Sequence, residues 1–179
     1  LPVTPHGYRP HLRALAFDFD FYTYEWPDFV CSEYNDFFVA LLKSTHPSTP
    51  ADENISFDKL GSPVSVNNGF VEVCDPATGM LRPGGKLFDC ALGTSELVGT
   101  GFDTGDGGFG EDLPELGSRA ATGWLTTTTA VVPGETVRLR FAVWDMFDEA
   151  LDSTVLLDHF RWTLIEPTKP TTVRPPRVQ

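Results

Sequence analysis

Two runs of acidic residues are the part of this chain best suited to chemistry. The first is Glu25-x-x-Asp28, followed by Glu33, Asn35 and Asp36 in an aromatic-rich stretch; the second is Asp145-x-x-Asp148-Glu149-x-x-Asp152-Ser153. Carboxylates crowded at one place repel one another unless a cation neutralises them. Calcium takes six to eight hard oxygens from carboxylates, amide carbonyls and backbone carbonyls in flexible loops. The second run has DxxDxxxD spacing, which is not an EF-hand loop. Either a bound calcium ion or a set of solvated loop acids satisfies the pattern. The loop at 100–112, with Asp103, Asp106, Glu111 and Asp112, is a weaker third candidate.

Catalysis finds less support. A Ser or Cys nucleophile needs a histidine in reach, and the four histidines stand at 6, 11, 46 and 159: two in the lead-in, one in a Ser/Pro loop and one in the last strand. The chain has no GxSxG elbow, no HExxH, no P-loop and no dinucleotide fingerprint. The glycine-rich TGDGGFG follows no predicted strand and opens no helix, so it is not a phosphate cradle. A glycosidase needs two placed carboxylates, and nothing singles out a pair among 25 acids. The expectation is a non-enzyme.

The elements that must position the acids are strands. Leu15, Phe17, Phe19 and Phe21 alternate with Ala16, Asp18, Asp20 and Tyr22, which predicts a half-buried strand. A loop over 24–34, interrupted by Pro27, leads to a second strand, DFFVALL, at 36–42. Short strands are expected at 55–57, 64–66 and 70–73, around an Asn67-Asn68-Gly69 turn. Residues 75–115 are dense in Gly, Asp and Pro, an unusually long irregular stretch with room for a short helix near 95–98. Order resumes with WLTTTTAVV, a Pro133-Gly134-Glu135 turn, and a half-buried strand in which Val137, Leu139, Phe141 and Val143 share a face. A last strand spans 153–165 with Phe160, Trp162 and Leu164 on one side. Both acidic runs therefore sit between strands. Many short strands with Gly/Pro turns predict an all-β fold, an antiparallel two-sheet sandwich of jelly-roll or Greek-key type with long Gly/Asp-rich loops. Its expected bounds are 12–166, with an extended lead-in at 1–11 and a Pro/Thr-rich extended tail at 167–179.

Composition bounds the setting. The 179 residues carry a net charge of −12, which argues against nucleic acid. The chain's 14 Phe and 4 Trp suffice for a packed core. No apolar run is long enough to span a bilayer. Starting at Leu1 without a leader-like segment, the sequence is expected to be a mature product, a fragment or an excised domain. Of the three cysteines, Cys31, Cys74 and Cys90, at least one stays free or pairs outside this stretch.

Three blocks in order, FYTYEWPDFVCSEYNDFFVALL, NISFDKLGSPVSVNNGF and WLTTTTAVVPGETVRLRFAVWDMFDEALDSTVLLDHF, resemble the bacterial choice-of-anchor L domain over roughly residues 12–165. That family shows an acidic-aromatic loop, an FND-type strand start, a PVSINN-like turn, and a PGE block closing on D…DS-x-V. The resemblance implies a secreted or surface-exposed β-sandwich. It also implies that Glu25, Asn35, Asp36, Asn67, Asp145, Asp148 and Asp152 occupy recurrent polar positions, and it strengthens the calcium reading. Tyr24 departs from the acid usual before Glu25. Residues 74–117 form an insertion relative to the short form.

In an exported setting Cys74 and Cys90 are the expected pair, closing a Gly/Pro loop for roughly 3 kcal/mol in the chain-entropy model; the alternative is three buried thiols in a cytosolic protein. Asn54-Ile55-Ser56 is a glycosylation sequon, a pattern that is usually coincidence. Thr126 to Thr129 are read as strand formers rather than a binding array. Tyr22, Tyr24, Trp26 and Tyr34 either cap the core or stack on sugar rings, the former being the expectation. Taken together, the residues predict a calcium-stabilised, non-enzymatic structural or adhesive module, extracellular or at the cell surface. Its partners would be other surface proteins, glycans or copies of itself. The alternatives are a carbohydrate-binding module using loop 22–34 and a self-assembling subunit joined through its extended termini.

Overall fold

A computed structural model describes residues 2–3, 12–27, 29–75, 89–103, 119–147 and 150–176. Two antiparallel sheets face each other, and the only helix among the described residues is a 3-10 turn at Ser95–Leu97. The first sheet has the order β1 (Pro2–Val3), β7 (Val137–Trp144), β3 (Phe37–Lys43), β4 (Val64–Ser65). The second is built on β2 (Ala14–Thr23). Along one edge β2 pairs with β8 (Ser153–Thr163) over its whole length, so the two strands it also pairs with share the other edge. These are β5 (Ala120–Ala121) and β6 (Leu125–Ala130), with β9 (Thr171–Val173) beyond β6. The two-sheet sandwich follows from the alternation of apolar residues on β2, β3 and β7.

The core lies between the sheets. Phe17, Phe19 and Phe21 of β2 meet Phe38, Ala40 and Leu42 of β3. Phe17 packs edge-on against Phe141 at 5.0 Å between ring centroids, and Phe19 lies 4.8 Å from Phe38. The threonines of β6 divide by face: Thr127 and Thr129 are buried, and Thr127 Oγ1 lies 2.9 Å from both Ser56 Oγ and Thr172 Oγ1. Asn54 is also buried; its Nδ2 donates to Ser56 O and its Oδ1 accepts from Ala40 N, so the sequon asparagine is a structural residue.

Three expectations change. The strand at 153–165 does not keep one phase. Leu157 lies opposite Phe19 and Val155 opposite Phe21, but a register shift between Ala16 and Asp18 follows, with His159 at φ 49°, before Trp162 lies opposite Leu15. β8 carries one extra residue there; Val155 and Trp162 pack against the core, whereas Leu157 and Phe160 are both exposed, Phe160 lying edge-on to Trp162. The segment read as a tail contributes β9, paired with Thr126–Thr128 of β6, and Arg174 beyond it donates to Phe70 O and Thr122 O. Likewise, Pro2–Val3 of the lead-in pairs with β7, so both extended ends are engaged within their own chain.

The third change concerns β2, which is buried on both faces. Its outer face carries Asp18, Asp20 and Tyr22; a second layer drawn from residues 72–75 and 89–103 covers Tyr22 and Asp20, while Asp18 is flanked by Thr126 of β6 and Arg161 of β8. Val73 exchanges backbone hydrogen bonds with Ala121, Leu92 N donates to Glu72 O, and the Cys74–Cys90 disulfide closes the segment. Tyr22, Val73, Leu97, Phe102 and Ala121 form a separate apolar cluster there, and Tyr24 stacks on Phe102 at 4.5 Å. Gly123 is needed at this seam: it has φ 66°, and a Cβ would stand 2.7 Å from Leu92 Cδ1.

Asp20 pays for this burial. It has no exposed surface, its Oδ1 accepts from Thr122 Oγ1, and Glu96 adds negative potential. Desolvation is the main reason its pKa rises from 3.8 to about 6. Tyr22, beside it, is pushed up by burial and by the Asp20 charge. Because the folded pKa is raised, Asp20's contribution is most favourable below the unfolded value of 3.8 and is lost as pH rises through about 6. The shift corresponds to a loss of at most about 3 kcal/mol across that window. Asp20→Asn removes the charge and offers its amide to Glu96, so the variant is expected to melt higher than wild type at pH 8 and to lose the slope between pH 4 and 6. Identical melting profiles for the two proteins contradict this.

Candidate functional site

The pairing register brings one end of both sheets together. Thr23, the last residue of β2, lies opposite Ser153, the first of β8; Phe37, the first of β3, lies opposite both Trp144 at the end of β7 and Ser65 of β4. The segments 24–36, 66–70 and 145–152 therefore emerge side by side, as the placement of both acidic runs between strands requires.

Within this end, two acids turn inward. Glu25 is buried and its Oε2 accepts from Asp36 N at 2.6 Å; Glu25 N in turn donates to Thr23 Oγ1. Asp36 is also buried, and its Oδ1 accepts from Met146 N at 3.4 Å. Tyr24 N donates to Asp152 O, Ser153 Oγ donates to Thr23 Oγ1, and Cys31 N donates to Asn67 Oδ1 at 2.6 Å. Three separate loops are thus tied by carboxylate, amide and backbone oxygens that accept backbone N–H groups, of which the Asp36 N–H is buried.

The remaining candidates are distributed differently. Asp145 and Asp152 are exposed, Asn35 is half-buried, and Asp148 lies outside the described residues, as do Asp28, Glu149 and the acids at 106–112. Among the described residues no three His, Cys, Asp or Glu side chains form a group able to hold a metal ion. Of the aromatic set, Trp26 belongs to the main core and Tyr22 to the outer-face cluster, so neither presents a ring to solvent, in keeping with the core-and-cap reading. Tyr34 is half-buried against Phe29, and Tyr24 is half-buried with its hydroxyl donating to Gly101 O at 2.6 Å. Cys31 is a free, exposed thiol.

Sequence reasoning missed the cleft between these loops. Its lining includes Asn35, Phe37, Ser62, Ser65, Asn67 and Asn68, a volume of about 330 Å³. The available signal was the period-two spacing of Asn35 and Phe37 with Ser65 and Asn67, but only the strand pairing shows that the two pairs are neighbours.

The fold defines a two-sheet, disulfide-closed β-sandwich with a polar loop end; elsewhere on the chain His46 Nδ1 lies 2.8 Å from Ser48 Oγ and His46 Nε2 lies 3.2 Å from Glu166 Oε1. The chain belongs to the choice-of-anchor L domain family, whose profile matches residues 7–160. That membership places it among surface-associated protein modules. No curated protein and no solved structure matches it. No helix among the described residues is long and apolar enough to cross a membrane.

The inward acids make a direct prediction. Glu25→Ala strips the buried Asp36 N–H of its acceptor and is expected to cost about 1–3 kcal/mol of unfolding free energy, read from denaturant melts. Asp152→Ala, at an exposed side chain, leaves the midpoint in place when both variants are compared in EDTA. Equal effects from the two substitutions would mean that burial of Glu25 is not what ties the loops.

Proposed function

We propose that this chain is a non-catalytic structural and adhesive module of a bacterial surface or secreted protein, with calcium as the stabilising ion of its loop end. The observation that carries this reading is the joining of the 24–36 and 145–152 loops at buried Glu25 and Asp36, with Asp145 and Asp152 at the rim. Such an end is a rigid presentation surface rather than a reaction chamber, since the acids are spent on holding loops and not aimed at a shared space.

Calcium suits the donor chemistry of the end, which is carboxylate, amide and backbone oxygen throughout. Its residence requires a carboxylate group larger than the described residues supply, so the proposal leans on Asp148, beside Asp145 and Asp152 in the sequence. The net charge of −12 works in the same direction, because a divalent cation relieves repulsion that the fold concentrates at its loops. A metal that joins the 24–36 and 145–152 segments also removes freedom from the unfolded chain.

Metal-stripped protein is expected to melt several degrees higher when millimolar calcium is added, and EDTA reverses the gain. Magnesium, which demands a stricter octahedral site, is expected to do less. A melting temperature unmoved by calcium or EDTA removes the ion from the proposal.

A further inference from the structure

The cleft beside the loop end is chemically unlike the rest of this acidic surface: no charged side chain lines it. Its walls come from two adjacent strands. Phe37 of β3 lies directly opposite Ser65 of β4, so the two side chains share the outer face of the sheet, with Asn35 two residues before one and Asn67 two residues after the other. Asn67 Oδ1 is used by Cys31 N, which leaves its Nδ2 hydrogens uncommitted among the described residues. Ser65 Oγ accepts from Asn67 N and keeps its proton to donate. Asn35 Oδ1 is buried and accepts no hydrogen bond. An enclosed amide oxygen without a donor costs free energy, which rotation of the Asn35 side chain toward a ligand hydroxyl in the cleft recovers.

An aromatic strip leads out of the cleft. On the other side of β3, Phe37 lies opposite Trp144, and their rings stack with centroids 5.9 Å apart and planes only 10° apart. Trp144 is 49% exposed. A parallel-stacked aromatic pair, half exposed at Trp144 and continuous through Phe37 with a pocket of neutral donors and acceptors, is suited to a ring with apolar faces and a hydroxylated rim. A cation would lack a charge partner in this cleft, an anion would lack a lysine or arginine, and an apolar ligand would leave the amides unpaired. The volume, about 330 Å³, is at the small end of ligand sites.

We infer that this cleft binds one neutral sugar unit of a glycan, with the next unit resting on the Phe37–Trp144 strip. The inference deepens the adhesive reading above and rests on it. It moves sugar recognition from the 22–34 aromatics to the outer face of β3 and β4, and it assigns Asn35 and Asn67 to hydroxyl recognition instead of calcium.

The test screens the purified chain against an array of neutral gluco-, manno-, xylo- and galacto-oligosaccharides. Any hit is then titrated by tryptophan fluorescence in EDTA. Binding is expected to persist in EDTA and to weaken about tenfold or more in both Asn35→Ala and Trp144→Ala, roughly one good hydrogen bond or stacking contact each. Ser62→Trp, at an exposed position on the cleft wall, fills the space and abolishes binding even where an Asn35 variant folds poorly. The inference is overturned by an array without a neutral hit, by affinity that these substitutions leave unchanged, or by binding that needs calcium. The calcium melt of the unliganded chain stands apart from all three outcomes, so failure here and failure of the structural reading are told apart.

Discussion

Burial of β2 on both faces is the constraint from which the rest of this structure follows. One face supplies the phenylalanines of the sandwich core, and the other is roofed by residues 72–75 and 89–103, joined by the Cys74–Cys90 disulfide. A strand committed in this way cannot shift register without exposing one apolar set and burying the wrong polar set. Its ends are therefore fixed, and Thr23 delivers Tyr24 and Glu25 to one defined place. The cost is Asp20, a carboxyl held in an apolar layer, offset by Thr122 and Tyr22. Arg174 adds a second tie, bridging the roof at Phe70 O to the sheet seam at Thr122 O.

From that fixed end, the acids divide into two roles that a charge count cannot separate. Glu25 and Asp36 face inward and hold Asp36 N and Met146 N, so they behave as parts of the scaffold. Asp145 and Asp152 face outward and set the potential of the rim. Between the scaffold acids and the sheet surface lies the neutral amide cleft, flanked by exposed Trp144. Rigid loops, a charged rim and a neutral aromatic-edged cleft suit a surface module that recognises rather than transforms.

Much of this was legible in the sequence because period-two alternation reports burial of one face directly. The strands at 14–23, 37–43 and 137–144 were readable on that basis, as was the placement of both acidic runs at strand ends. What alternation cannot report is a second layer contributed from far along the chain. Asp20 and Tyr22 look like part of a solvated face until residues 72–75 and 89–103 are laid over them. The bulge in β8 was hidden because one inserted residue leaves local alternation intact on both sides while reversing its phase. β9 was hidden for another reason: Thr171–Val173 joins the sheet through backbone pairing, with little apolar content to announce it. The cleft needed the register itself, since Asn35 and Asn67 become neighbours only when Phe37 is set opposite Ser65.

The central claim is that Glu25, Asp36 and the Asp152 carbonyl lock the 24–36 and 145–152 loops into one rigid end. Residue-resolved amide hydrogen exchange measures this most directly. The amides of Asp36, Met146 and Tyr24, although they lie outside the long strands or at their margins, are predicted to exchange on the slow timescale of the β2 interior. Exchange of those three amides at the fast rate of exposed loop residues, with β2 still protected, would contradict the account.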